Sequence, residues 1–265
     1  AMMHNQITEG VIWQQLLLFF FPILFGTFFQ QLYNTVDAVV VGQFVGTEAL
    51  AAVGGTTGTL VNLFVGFFTG LASGATVTIS QYFGAKQDDM VSQAVHTAIA
   101  FSIAVGAVMM AVGLVGAPFA LRAMGTPESV MNYATTYLRI YFIGIIPNLI
   151  YNMGAGILRA IGDSRRPLLF LIAGCFTNIV LDLLFVVQFG MEVAGAAWAT
   201  IISQFVSAIL VTLVLTRTSE SYKLHVKKLR MDKVLVRRIV EIGLPAGLQS
   251  VMYNISNIII QSSVN

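Results

Sequence analysis

The sequence predicts an all-α membrane protein, with a six-helix transmembrane bundle followed by the start of a seventh helix. Of its 265 residues, 57% are hydrophobic and 10% are charged, whereas a soluble domain carries about 25% charged residues. The apolar residues fall in blocks long enough to provide the roughly 20 helical residues that cross a bilayer core. Backbone groups in lipid must bond within their own segment, which favours helices. The alternating segments of about 10 residues that form a membrane β-barrel are missing from the sequence.

Six complete spans can be placed along the chain. We expect the first block to be a retained helix and not a signal peptide, because no basic segment precedes it and no small-residue cleavage site follows it. The first two blocks exceed a straight crossing, so tilt or a bend is expected, and Pro22 is the predicted bend point of the first helix. The predicted spans are residues 13–41, 50–80, 93–117, 130–156, 167–189 and 195–216, and a seventh begins near Ile239 and is still apolar at Asn265.

The basic residues predict the orientation in the membrane. Only Arg122 and Arg139 fall on one side of the predicted bundle, and the other twelve of the fourteen Lys and Arg residues fall on the other. Since loops rich in Lys and Arg remain in the cytoplasm, we predict a multi-pass protein of the inner (plasma) membrane with a cytoplasmic N-terminus. The net charge of +2 reflects this topology, so we expect membrane lipids and no nucleic acid as partners.

A short internal repeat predicts a second, related lobe. The segment YNTVDAVVV begins at Tyr33 and YNISNIIIQ begins at Tyr253, and each follows a proline in an apolar stretch, Pro22 and Pro245. Repeats of this kind are common in transporters, so the missing C-terminal lobe is an expected partner. The predicted division is an N-terminal lobe (1–216), a basic cytoplasmic linker (217–238) and an incomplete first helix of the C-terminal lobe (239–265). The linker could bind anionic lipid headgroups, although a purely topogenic role is favoured.

Asp37 and Asp182 are the two acidic residues, out of twelve, that fall inside predicted helices. A carboxylate near the bilayer centre costs at least ~2.5–3.5 kcal/mol, so such residues normally face a cavity or a partner. The alternative is that both residues only hold helices together by hydrogen bonds. Ser, Thr and Asn provide such bonds at lower cost, which favours a functional role for the two aspartates.

Three neutral polar residues are predicted at the same depth as the two carboxyl groups. Asn178 lies four residues before Asp182 and therefore on the same helix face, while Tyr137 and Thr200 lie one to two turns inside their spans. Two carboxylates in a dry cavity repel each other, so at least one should hold a proton. The neutral oxygens can bind Na⁺ or hydrogen-bond a charged carboxylate. The predicted cation-binding residues are Asp37, Tyr137, Asn178, Asp182 and Thr200, all but Tyr137 being candidate Na⁺ ligands.

Other features receive simpler interpretations. His96 is expected to be a solvated residue at the start of the third span, and the single cysteine, Cys175, can form no intrachain disulfide. The glycines of GGTTGT (54–59) and GLASGAT (70–76) are expected to permit close helix contact. The sequence has no phosphate loop, nucleophile triad or metal-spaced Cys/His set, so neither catalytic residues nor a cofactor are expected.

Several segments of the chain follow one another in a characteristic order and spacing. These are Pro22 with Asp37 fifteen residues later, VGQFVGTEALAAVG after the first span, QYFGAK (81–86), YLRIYFIGIIP (137–147), GILRAIGDSRRP (156–167) and TNIVLDLLF (177–185). In the order and spacing of these segments the chain resembles the multidrug and toxic compound extrusion (MATE) family over essentially its whole length.

The resemblance implies an antiporter of twelve helices in two lobes, which exports cationic amphipathic drugs in exchange for H⁺ or Na⁺. In family members with an N-lobe cation site, the positions that match Asp37, Asn178, Asp182 and Thr200 bind the coupling ion, and Tyr137 belongs to the same network. Tyr253 occupies the position of a carboxylate in NorM-like members, so an N-lobe, DinF-like mechanism is implied. Two alternatives remain open: a lipid-linked oligosaccharide flippase of the same superfamily and an intramembrane transferase.

Overall fold

The computed structural model describes residues 11–264, without the side chains of residues 56, 261, 262 and 264. Every regular element in this range is helical. The expectations for residues 1–10 and Asn265 lie outside the described residues. A π-helical segment, Leu183–Gln188, continues α7, and a short 3₁₀ turn, Val226–Lys228, lies between α8 and α9. The α-helices are α1 (Ile12–Phe44), α2 (Thr47–Gly54), α3 (Thr56–Gly84), α4 (Asp88–Ala123), α5 (Glu128–Ile143), α6 (Ile145–Ala160), α7 (Arg165–Asp182), α8 (Glu192–Arg217) and α9 (Lys233–Val264).

The predicted six-span bundle is confirmed. Within residues 11–264, five helical stretches are long and apolar enough to cross a membrane: α1, α2 with α3, α4, α7 with its π-helical segment, and α8. The pair α5 and α6 is the sixth, if the two helices form one bent span. The chain is therefore a multi-pass, all-helical membrane protein.

Glycine residues interrupt two of the predicted spans. The second span divides into α2 and α3 at Gly55, where a Cβ atom would lie 2.5 Å from the carbonyl oxygen of Ala51. The fourth span divides into α5 and α6 at Gly144 with a bend of 53°, and a Cβ atom there would lie 2.5 Å from the side chain of Ile201. The prediction contains neither break, because it has one helix over residues 50–80 and another over residues 130–156.

Small residues bring α3 and α9 into close contact. A Cβ atom at Gly70 would lie 2.6 Å from the Cα atom of Gly247, which confirms the close contact expected for GLASGAT. The same expectation for GGTTGT is wrong. Gly54 has no neighbour within 4 Å, and Gly58 faces only the carbonyl of Val53, because these glycines lie at the junction of α2 and α3 and not between packed helices.

The helix α1 lies at the edge of the bundle. Only four of its side-chain positions are buried: Gly26, Asp37, Val40 and Val41. The larger apolar core is built mainly from α3, α4, α5, α6 and α8. A second, smaller core joins the C-terminal part of α1 to α2, α5 and α8, and it includes Tyr137. The predicted cation site therefore lies where α1, which has few buried side chains, meets the bundle.

His96 is not the solvated residue that the sequence suggested. It is 6% exposed, with Nδ1 2.7 Å from the carbonyl oxygen of Ser92. Its Nε2 accepts a hydrogen bond of 3.0 Å from the backbone N–H of His225, and the two imidazole rings are stacked. The expectation failed because the segment between α8 and α9 folds back over the start of α4, a contact between residues far apart in sequence.

Candidate functional site

The five predicted cation-binding side chains are all buried. Asp37 is 5% exposed, Asp182 1% and Asn178 1%. Thr200 and Tyr137 are 3% and 8% exposed. They come from α1, α7, α8 and α5, so four helices supply the site.

The carboxyl groups of Asp37 and Asp182 lie beside each other where α1 meets α7 and interact electrostatically. Tyr137 lies next to Thr200 and within electrostatic range of Asp37. The structure therefore places the two carboxyl groups side by side, with Tyr137 and Thr200 next to each other near Asp37. Asn178 lies one helical turn before Asp182 on α7.

The site has more buried polar atoms than its own residues satisfy. In the described part of the chain, no hydrogen-bond partner of regular geometry is found for either carboxyl oxygen of Asp182 or for Oδ1 of Asp37. Both side-chain polar atoms of Asn178 also have none. Since at least 90% of buried polar groups in proteins are hydrogen-bonded, and buried charge is costly unless paired, this cluster is suited to holding a cation, a proton or water.

Thr200 supplies a further hydroxyl oxygen beside Tyr137. Its hydroxyl donates a hydrogen bond of 3.0 Å to the carbonyl of Ala196, as threonine often does inside a helix. That bond uses the hydroxyl proton and leaves the oxygen lone pairs free to accept or to coordinate. The donor set is thus rich in oxygen, which is the ligand chemistry that hard cations prefer.

A change of helix type follows Asp182 directly. The chain is α-helical up to Asp182 and π-helical over Leu183–Gln188. Such π-helical segments within helices are frequent at functional sites. Hydropathy gives no indication of this change, because the block remains apolar throughout.

Sequence reasoning missed three polar residues of the same network. Tyr33 lies near Asp37, Asp182 and Tyr141. Tyr141 in turn lies beside Gln204, and the buried Oε1 of Gln204 has no hydrogen-bond partner of regular geometry among the described residues. The sequence does contain a pattern that finds them. Residues four apart share a helix face, and each of the four helices presents such a pair: Tyr33 and Asp37, Tyr137 and Tyr141, Asn178 and Asp182, Thr200 and Gln204.

The α1 helix is also held near its proline. Pro22 has no backbone N–H, so the carbonyl of Leu18 cannot receive the usual helical hydrogen bond from residue 22. In the adjacent position, the carbonyl of Phe19 accepts a hydrogen bond of 2.6 Å from the hydroxyl of Ser164. Ser164 is 5% exposed and precedes α7. The loop before α7 therefore fixes the N-terminal part of α1 next to the predicted bend point.

A groove of about 520 Å³ lies on the side of α1 turned away from Asp37. Its lining consists of four residues with an amide or hydroxyl side chain, three apolar residues and one glycine. The helix α1 thus separates this groove from the carboxyl pair. The lining residues are Asn34, Thr35, Ala38, Val39, Gly42, Gln43, Thr47 and Leu50.

The fold and the buried carboxyl pair define a membrane protein of the transporter type, and the comparisons with known proteins give its family. The MatE family profile matches residues 22–184. The chain is 32% identical over 263 residues to "Probable multidrug resistance protein YoeA" of Bacillus subtilis, covering 96% of this chain and 56% of that protein. This chain belongs to the MATE family. It spans about half the length of the curated relatives that it matches.

Two solved structures show the same architecture. One is described as the outward-facing conformation of a multidrug resistance MATE family transporter of the MOP superfamily. It is 25% identical with a TM-score of 0.88, and the match covers 99% of this chain and 58% of that one. The other is described as the inward-facing conformation, is 28% identical with a TM-score of 0.78, and is matched over 85% of this chain and 51% of that one.

Proposed function

We propose that this chain is the N-terminal six-helix lobe of a multidrug efflux antiporter, which exports cationic amphipathic compounds in exchange for H⁺ or Na⁺. The observation that carries the proposal is the buried pair Asp37 and Asp182 in a member of the MATE family. The relatives named as multidrug resistance and multidrug export proteins support the export function. A second lobe of similar size, the surrounding lipids and the exported compounds are the proposed partners, and no nucleic acid is expected.

The proposed first step is uptake of the coupling cation at the carboxyl pair. Asp37, Asp182, Asn178 and Thr200 supply oxygens for Na⁺, and the same carboxyl groups can take up a proton. Tyr137 orients the network through its position beside Thr200. Cation uptake removes the repulsion between the two carboxylates, which changes how strongly α1 is held against α7.

The proposed second step is a movement of α1 that alters the groove on its opposite side. The N-terminal part of α1 is fixed by Ser164, whereas its C-terminal part is held next to the carboxyl pair. Pro22 lies between these two attachments, so the helix can bend there when the outer attachment changes. An inward elementary charge supplies about 2.3 kcal/mol per 100 mV of membrane potential, which is sufficient to bias such a two-state change.

The orientation follows from the basic residues. The proposed location is the inner (plasma) membrane, with the N-terminus in the cytoplasm. In this orientation the carboxyl pair lies in the outer half of the bilayer. Cations that move down their gradient from outside therefore reach the pair over a short path.

The proposal is tested by drug resistance in cells that express the transporter containing this lobe. Asp37→Asn and Asp182→Asn are each expected to abolish resistance to ethidium-like cations without lowering the amount of protein in the membrane. Asp89→Asn is the matched control, because Asp89 is exposed at the start of α4. Wild-type resistance in both aspartate variants of the pair would refute the proposed coupling.

The two alternatives have no comparable support. A flippase for a pyrophosphate-linked lipid needs a cationic cavity, whereas the buried pair in the described helices is acidic. An intramembrane transferase needs paired acidic motifs, whereas the adjacent Asp88 and Asp89 have no second such motif in the sequence. His96 is buried, and both its ring nitrogens contact backbone groups.

A further inference from the structure

The segment between α8 and α9 has a fixed conformation. Tyr222 and Leu224 are buried in the main core. The N–H of Leu224 donates a hydrogen bond of 2.8 Å to the carbonyl of Leu215, and the N–H of His225 donates to Nε2 of His96. A flexible topogenic loop needs none of these contacts, since a topology signal depends only on its charge.

This segment exposes a group of basic side chains on its surface. Among the described residues, only one of the exposed basic side chains from Arg217 to Arg237 makes an ion pair, that of Arg237 with Glu241 at 2.9 Å. Asp232 uses Oδ1 to accept hydrogen bonds from the N–H groups of Val234 and Leu235. The exposed basic side chains are Arg217, Lys227, Lys228, Arg230, Lys233 and Arg237.

Apolar side chains are exposed among these basic side chains. Val226 is 59% exposed, Met231 49% and Val234 75%. An exposed mixture of apolar and basic side chains is typical of segments that lie in the headgroup region of a membrane.

The position of the segment matches that region. The membrane-crossing helix α8 ends at Arg217, and α9 begins at Lys233, so the segment lies at one end of the bundle, where a bilayer surface must surround it. The charge, the exposed apolar groups and the location together favour one partner, a phospholipid with an anionic headgroup.

We propose that residues 217–237 form a docking surface for anionic phospholipids of the adjacent leaflet. The basic side chains bind the phosphate-bearing headgroups, and Val226, Met231 and Val234 contact the upper acyl chains. This surface is separate from the carboxyl pair and does not depend on the proposed export function. Its expected consequence is a local enrichment of anionic lipid around this end of the bundle.

The test uses the purified chain in nanodiscs that contain phosphatidylcholine mixed with brominated phosphatidylglycerol. A bimane label is attached through Ser219→Cys in a Cys175→Ala background, since Ser219 is exposed in the segment. Quenching of bimane by the brominated lipid, compared with quenching by brominated phosphatidylcholine, gives the relative affinity for the anionic headgroup. The expected result is stronger quenching by phosphatidylglycerol, which weakens as salt is added.

A matched pair of double variants makes the test specific. Lys227→Gln with Lys228→Gln should reduce the preference by up to about 25-fold, because each basic residue at an anionic surface contributes about fivefold. Arg122→Gln with Arg139→Gln also removes two exposed charges, but outside the segment, and should leave the preference unchanged. Circular dichroism checks that all variants fold.

Three outcomes would overturn the proposal. One is equal quenching by the two lipids in the unmodified segment. Another is an equal loss of preference in the two double variants, which would indicate a general charge effect. The third is complete displacement by soluble glycerol phosphate, which would show that an anion site and not a lipid surface had been measured.

Discussion

The carboxyl pair leads to a prediction about cation-dependent stability. Four buried oxygens in the site have no hydrogen-bond partner of regular geometry among the described residues: Oδ1 of Asp37, Oδ1 of Asn178 and both oxygens of Asp182. A buried polar group without a partner costs about 1–3 kcal/mol. A cation that coordinates these oxygens should therefore stabilise the folded chain, and Asp37→Asn or Asp182→Asn should remove most of this effect.

The size of the effect follows from mass action. At a free Na⁺ concentration about 100 times its dissociation constant, binding stabilises the folded state by about 2.7 kcal/mol. For a chain of this size, each kcal/mol raises Tm by about 2–4 °C, so the expected increase is roughly 5–11 °C. Asp37→Asn and Asp182→Asn each remove one carboxylate of the pair. The Tm of these two variants should change by less than about 2 °C over the same range of Na⁺ concentration.

The assay is thermal unfolding of the chain in detergent, with Na⁺ replacing choline at constant ionic strength and pH. Asp89→Asn serves as the control and should behave like the wild type. If H⁺ is the coupling ion, Na⁺ has no effect, and acidification stabilises the wild type and Asp89→Asn but not the two pair variants. Superimposable curves for all four proteins under both treatments would show that the pair takes up no cation.

Three further predictions follow from individual contacts. Gly74→Ala should lower stability by about 1–3 kcal/mol, because its Cβ atom would press on the α9 backbone, while Gly84→Ala, with open space around it, should not lower Tm. Ser164→Ala removes the hydrogen bond to α1 and should lower stability by about 1 kcal/mol, whereas an unchanged Tm would show that this bond does not hold α1. Desolvation and the nearby cationic Lys228 lower the pKa of His225. NMR titration should therefore find a pKa for this imidazole below the usual histidine value, and Lys228→Gln should raise that pKa.

Much of the candidate site is determined by the sequence. The cost of a carboxylate in lipid identifies Asp37 and Asp182 without a structure, and helical spacing adds Asn178. The same spacing extends to Tyr33, Tyr141 and Gln204, although depth in the membrane alone does not select them. That helices pack so that these faces meet is a property of the folded bundle.

Sequence and tertiary structure therefore decide different things in this protein. The number of spans, their helical nature and the isolation of two aspartates follow from the sequence, because the transfer of each residue into lipid depends on its own chemistry and its near neighbours. The bend at Gly144, the π-helical segment after Asp182 and the burial of His96 depend on tertiary structure, since each is set by packing against residues far along the chain. The fixed conformation of the basic segment belongs to the same class: its charges can be read from the sequence, but their display on a rigid surface requires the fold.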